Sequence, residues 1–145
     1  ERMLLINPAA KIKVIESFID ETNIEDLFLN KIDFFIDACD SIQTKKLVID
    51  NCISKNIDFI TCMGTGNRLD PSLLKIKKIE NTSYDPVAKI IRKHCKDMKY
   101  KNKVNCLCSE EIPLKTGKKI GSTSFVPPAA GLLISSYVVK HLMSK

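Results

Sequence analysis

The 145-residue sequence contains no tryptophan, only two histidines and only five glycines. Its six cysteines form no C-x-x-C pair, and neither histidine completes a zinc-finger spacing with them. We therefore expect no structural zinc. The spacing of the two histidines from serine and aspartate residues gives no evidence for a Ser/His/Asp catalytic triad.

The sequence also lacks a long apolar run, and we expect no signal peptide. The longest uncharged stretch, Gly121–Val139, includes two prolines and several hydroxyl residues, whereas a spanning helix needs about 20 mostly apolar residues. We read this stretch as a strand, a turn and a buried helix, with a membrane-associated C-terminus as the alternative. Four cysteines lie within apolar patterns as small hydrophobes, which suits a reducing, cytoplasmic location.

What the sequence does contain is typical of one globular domain: 44% apolar and 28% charged residues. The formal net charge is +6. A basic surface of this kind is compatible with a nucleic-acid partner, but many lysine-rich proteins carry it as a solvated surface. Two lysine clusters fall on predicted loops and are the candidates for contacts with phosphates: Lys99, Lys101 and Lys103, and Lys115, Lys118 and Lys119.

Hydrophobic patterning predicts an α/β fold. The runs Phe34–Cys39 and Phe59–Met63 are short and continuously apolar, as in strands buried on both faces of a parallel sheet. Between them, 41–55 carries a helical apolar stripe. This alternation predicts a doubly wound sheet.

The remaining segments predict an extension of that sheet and a final helix. Strands are expected at Ala10–Phe18, Leu73–Glu80 (antiparallel), Val104–Ser109 and Ile120–Val126, and helices at 85–98 and Ala129–Met143. A short helix should follow a capping box formed by Thr22 and Glu25. Asp85-Pro86 is a strong helix start.

Ligands of open α/β sheets bind beyond the carboxyl ends of the parallel strands. Asp37 and Asp40 follow the first buried strand, and Gly64, Gly66 and Arg68 follow the second. A carboxylate there could hold Mg²⁺ on nucleotide phosphates, or Asp40 could simply cap the next helix. Arg68 could bind a phosphate or carboxylate of a substrate, or could be solvated.

Four segments resemble one family: DACDS from Asp37, FITCMGTGNRLDPSLLKI, YDPVAKIIRKHCK and GSTSFVPPAAGLLISSYVVKHL. DACDS is similar to the D-x-x-D-[NS] motif of the ThiF/MoeB/HesA superfamily, the bacterial relatives of ubiquitin-activating enzymes. The longer segments resemble its tRNA threonylcarbamoyladenosine dehydratase branch. The resemblance covers essentially the whole chain.

The resemblance implies ATP-dependent adenylation of a carboxylate, here the threonylcarbamoyl group on a tRNA adenosine, followed by cyclisation. It implies that Asp40 is associated with ATP and Mg²⁺, that Asp37 belongs to the same cofactor-binding motif, and that the protein is a homodimer. The fold it implies is the second part of a Rossmann-like sheet.

The family's Gly-rich ATP-binding loop has no counterpart within these 145 residues, so residues 1–145 are expected to be a C-terminal portion of an adenylating domain. The complete protein is expected to be the enzyme, and these residues alone to be inactive. Two alternatives remain: an adenylyltransferase for a ubiquitin-like sulfur-carrier protein, and a non-catalytic binding or dimerisation module.

Overall fold

The computed structural model describes residues 1–115, 117 and 119–145. Within them lie four α-helices and four strands: α1 (Arg2–Ile6), β1 (Phe35–Asp37), α2 (Ile42–Ser54), β2 (Phe59–Cys62), β3 (Leu74–Lys78), α3 (Pro86–Asp97), β4 (Asn105–Ser109) and α4 (Val126–Met143). Short 3₁₀ turns occur at Ile24–Phe28, Pro71–Leu73 and Ile79–Asn81. Among the described helices, none is long and apolar enough to cross a membrane.

The strands form one sheet with the order β1-β2-β4-β3. β1, β2 and β4 are parallel, with Asp37 opposite Thr61 at the carboxyl edge, and β3 runs antiparallel to β4. This arrangement confirms the predicted parallel sheet with an antiparallel extension and a C-terminal helix.

Helices cover both faces of the sheet. On one face, Ile49 of α2 and Ile91 of α3 pack with Cys106 and Cys108. On the other face, Ala130, Ile134 and Val138 of α4 pack with neighbouring strand residues that include Leu107. Since successive strand residues point to opposite faces, Cys106 and Cys108 share one face, as their alternation in the sequence indicates. All six cysteines are free thiols.

Side-chain caps set where the two helices beside the site begin. The Asp85 carboxylate accepts a hydrogen bond from Ala88 N at 2.9 Å, and Pro86 follows as the first helical residue. This confirms the predicted start of α3. At α2 the cap is Ser41, whose hydroxyl accepts from Thr44 N at 3.2 Å. The capping role considered for Asp40 is therefore wrong.

Two predicted strands are absent from the sheet. The Ala10–Phe18 segment is irregular, and its apolar residues Val14 and Phe18 are 74% and 75% exposed. Alternation predicts which side chains share a face, but a strand also needs a neighbouring backbone, and none of the described residues supplies one. The predicted capping box is wrong as well, because Thr22 N donates to Asp20 and the following turn, Ile24–Phe28, is 3₁₀.

The Ile120–Val126 segment is also irregular, for a different reason. Asn67 N donates to the Gly121 carbonyl at 2.8 Å, and Gly121 N donates to the Asn67 side chain at 2.7 Å. Backbone groups that a strand would use are thus bound to the loop after β2. The segment then enters α4, where the Thr123 hydroxyl accepts from Val126 N.

Candidate functional site

A cleft of about 310 Å³ opens at the carboxyl edge of the sheet. It is bounded by the turn after β1, the loop after β2 and the beginning of α4. Its lining includes Asp40, Lys45, Cys62, Gly64, Thr65 and Ser122. The structure therefore brings Asp40 and the predicted glycine loop together, as expected from the geometry of parallel strands.

Asp37 lies behind this cleft in a buried polar network. Its Oδ2 accepts hydrogen bonds from Lys45 Nζ at 3.0 Å and from Thr61 Oγ1 at 2.5 Å. Its Oδ1 accepts from Cys39 N at 3.1 Å. The Asp37 and Lys45 side chains are only 2% and 3% exposed, so this is a buried ion pair. These contacts hold the turn that leads to Asp40, and the nucleotide contact expected of Asp37 stays a prediction.

Asp40 is exposed on the lining of the cleft. Within the described part of the chain its carboxylate takes part in no hydrogen bond or ion pair. Since Ser41 caps α2, the Asp40 carboxylate has no structural task in the helix. It is free to bind a cation or a donor group in the cleft.

Arg68 is buried rather than solvated, with 2% of its surface exposed. Its Nη2 donates to the Tyr84 carbonyl at 3.2 Å and lies 4.0 Å from Asp85 Oδ2. Arg68 Nε and Nη1 form no hydrogen bond with any described residue. The solvated alternative is therefore wrong, and direct contact of Arg68 with substrate stays a prediction. The observed contacts tie the loop after β2 to the start of α3.

The loop after β2 also makes hydrogen bonds to the segment before α4, which includes the cleft-lining residue Ser122. Asn67 has a φ of 56° and binds Gly121 through both its backbone and its side chain, and its carbonyl accepts from Leu114 N at 2.8 Å. A Cβ on Gly66 would lie 2.4 Å from the Ile120 side chain. Glycine is needed there because the two loops approach so closely.

Sequence reasoning missed Lys45, Thr61 and Asn67. Lysine is almost never fully buried, and Lys45 stands next to Lys46, so the sequence does not show which of the two faces inward. The pairing of Asp37 with Thr61 depends on strand register. For Asn67 the sequence contains a weak indication of a turn, because asparagine tolerates the left-handed backbone conformation and this asparagine follows a glycine pair.

Two cysteines line the cleft, and both are protonated at neutral pH. Burial raises the pKa of Cys39 to about 11, and the negative charge of Asp37 acts in the same direction. Burial likewise raises the pKa of Cys62 to about 11. Because the thiolate is the nucleophile, neither side chain is activated for covalent catalysis in this arrangement.

Alkylation of Cys39 tests this description. At pH 8, iodoacetamide should modify Cys39 in the folded protein at least ~10-fold more slowly than in urea, since the thiolate fraction is much lower. The rate in the folded state should rise with pH up to about 11. Peptide mapping by mass spectrometry measures both. Equal rates in folded and unfolded protein at pH 8 would mean that the thiol is already activated.

No group of three or more His, Cys, Asp or Glu side chains is placed to share a metal ion among the residues that the structure describes. Asp40 is thus a single carboxylate at an open edge. That suits Mg²⁺ held jointly with phosphate oxygens, because this ion usually takes one or two protein carboxylates and keeps other oxygen ligands.

Topology and site together define a doubly wound α/β domain with a candidate ligand cleft at the carboxyl edge of the sheet. The chain belongs to the ThiF family, whose model matches residues 1–144.

Similar proteins agree with this assignment. The tRNA threonylcarbamoyladenosine dehydratase of Bacillus subtilis is 30% identical over 160 residues, covering 98% of this chain and 63% of that protein. The Escherichia coli protein of the same name is 29% identical, covering 100% of this chain and 65% of that one. This chain thus spans about 63–65% of the length of these two relatives.

A solved structure shows the same fold. The crystal structure of E. coli tRNA N6-threonylcarbamoyladenosine dehydratase in complex with ATP matches with a TM-score of 0.90 at 27% identity. The match covers 99% of this chain and 61% of the solved one. The predicted Rossmann-like fold is confirmed.

Proposed function

We propose that this chain is part of an ATP-dependent tRNA threonylcarbamoyladenosine dehydratase. The carboxylate of the threonylcarbamoyl group would attack the α-phosphorus of ATP and release pyrophosphate. The resulting acyl-adenylate would lose AMP when the group cyclises. The observation that carries this proposal is the unpaired Asp40 carboxylate on a cleft at the carboxyl edge of the sheet, in a fold shared with a dehydratase solved with ATP.

In this proposal Asp40 would be the residue that helps to hold Mg²⁺ on bound ATP. The ion would supply positive charge that offsets the repulsion between a carboxylate and a triphosphate. The buried Asp37–Lys45 pair orients the turn that carries Asp40. Arg68, through Asp85 and Tyr84, keeps the opposite wall of the cleft in place.

Backbone amides of a Gly-rich turn supply much of the phosphate binding in nucleotide folds. No G-x-G-x-x-G run occurs in these 145 residues, so we propose that those amides come from residues outside this sequence. Homodimerisation and a cytoplasmic location belong to the same proposal.

Two other functions are compatible with the fold. The cleft could activate the C-terminus of a ubiquitin-like sulfur-carrier protein, or the chain could serve as a non-catalytic binding or dimerisation module. The named relatives favour the tRNA substrate, since both are tRNA threonylcarbamoyladenosine dehydratases.

Replacing Asp40 by asparagine tests the proposed site. In the full-length protein, Asp40→Asn should lower the adenylation rate at least tenfold, about 1.4 kcal/mol in barrier. The free energy of unfolding should change by less than about 0.5 kcal/mol, because Ser41 caps α2. AMP release and urea denaturation measure the two effects.

Asp33→Asn is the matched control, since Asp33 is a surface carboxylate that pairs with Lys31 and does not line the cleft. It should keep full activity. Near-normal AMP release by Asp40→Asn would show that this carboxylate does not serve the reaction.

A further inference from the structure

A second depression, a groove of about 670 Å³, runs between α2 and α3. Lys46 of α2 lies on one wall, and Lys89 and Lys93 lie one turn apart on α3. Residues four apart on a helix point the same way, with Cβ atoms about 5–6 Å apart. The groove therefore presents ammonium groups from both of its walls.

These three lysines are not neutralised locally. Among the described residues, no carboxylate lies within 4.0 Å of Lys46, Lys89 or Lys93, whereas other surface lysines are ion-paired: Lys31 with Asp33, Lys55 with Glu25, Lys77 with Glu110 and Lys145 with Asp58. Asp97 also lines the groove, and His94 does so while bonded to Asp50 at 2.8 Å. The groove keeps an excess of positive charge.

The groove and the candidate cleft both reach the first turn of α3. Pro86 lines the groove and Val87, the next residue of α3, lines the cleft. At the other end of α3, the exposed Lys99, Lys101 and Lys103 follow in the basic loop. Lysines thus occur at several points along α3 between the basic loop and the edge of the cleft, with Asp97 and the His94–Asp50 pair among them.

We propose that the groove between α2 and α3 binds the phosphate backbone of RNA and directs the strand towards the cleft. The choice of RNA rests on the proposed function, and the location rests on the excess positive charge of the groove and on its position beside the cleft. Lysine contacts to phosphates position a nucleic acid without reading its sequence. They also release counterions, so the affinity should depend steeply on salt.

The test measures binding of a tRNA to the full-length protein by fluorescence anisotropy over a salt series. The variant replaces Lys46, Lys89 and Lys93 by glutamine. It should bind at least ~10-fold more weakly at low salt. Its slope of log affinity against log salt should be shallower by about 2–3, near 0.7–0.9 for each lost phosphate contact.

A matched control replaces Lys31, Lys55 and Lys145 by glutamine. It loses the same three charges, but at ion-paired positions outside the groove, and its affinity should stay within about twofold of wild type. A triple arginine variant of the groove keeps the charges and should bind RNA like wild type. This second variant separates loss of charge from loss of folding.

Equal weakening in the groove and control variants would overturn the proposal, because net charge alone would then account for binding. An unchanged salt slope in the groove variant would also overturn it. So would a groove variant that binds RNA like wild type but loses affinity for an acidic protein. AMP release at saturating RNA reads the proposed function separately. If the protein binds RNA through the groove but does not adenylate it, this proposal stands and the proposed function is wrong.

Discussion

Lys45→Met is expected to lower the free energy of unfolding by about 3–5 kcal/mol, the usual cost of breaking a buried ion pair. The Lys45 ammonium lies 3.0 Å from Asp37 Oδ2, and both side chains are almost fully buried. Without it, the Asp37 carboxylate keeps the hydrogen bonds from the Thr61 hydroxyl and the Cys39 amide but has no positive charge beside it among the described residues. Urea denaturation of the full-length protein measures the change.

Lys46→Met is the natural control for this experiment. It makes the same chemical change one position along α2, at a half-buried lysine with no carboxylate within 4.0 Å among the described residues. Its effect should stay within about 0.5 kcal/mol.

Adding Asp37→Asn to Lys45→Met should recover more than about 1 kcal/mol, because the unpaired buried charge is then removed. A loss below about 1 kcal/mol in Lys45→Met, or no recovery in the double variant, would contradict the importance given to this pair.

The elements that the sequence predicts well are those with local signals. Asp85-Pro86 and the apolar stripe that follows predict a helix at 85–98, and α3 spans Pro86–Asp97. The apolar runs at Phe34–Cys39 and Phe59–Met63 likewise become β1 and β2. Capping and burial on both faces depend on neighbours in sequence, so they can be read without knowing the tertiary structure.

Features that depend on a partner far away in the sequence cannot be predicted from local sequence patterns. Ala10–Phe18 has the alternation of a strand, but its pattern contains no information on which backbone would pair with it. Arg68 is buried because Asp85 lies close by, 17 positions later, and no periodicity relates the two. The position of Asp40 at the carboxyl edge of the sheet could be predicted because the carboxyl ends of parallel strands always meet at one edge.

The largest activity effect expected is the dependence of adenylation on the tRNA carboxylate. Formation of an acyl-adenylate is reversible, so an adenylating enzyme returns labelled pyrophosphate to ATP only while its carboxylate substrate is bound. The full-length protein should therefore exchange pyrophosphate at least ~10²-fold faster with tRNA that carries threonylcarbamoyladenosine than with tRNA that lacks it, a difference of about 2.7 kcal/mol.

Pyrophosphate exchange is thus the measurement closest to the central claim, with unmodified tRNA and a sulfur-carrier protein as the two comparison substrates. We predict fast exchange with the modified tRNA, slow exchange with both others, and at least tenfold slower exchange in Asp40→Asn. Exchange supported by the carrier protein instead would contradict the tRNA substrate, and no exchange with any of the three would contradict catalysis itself.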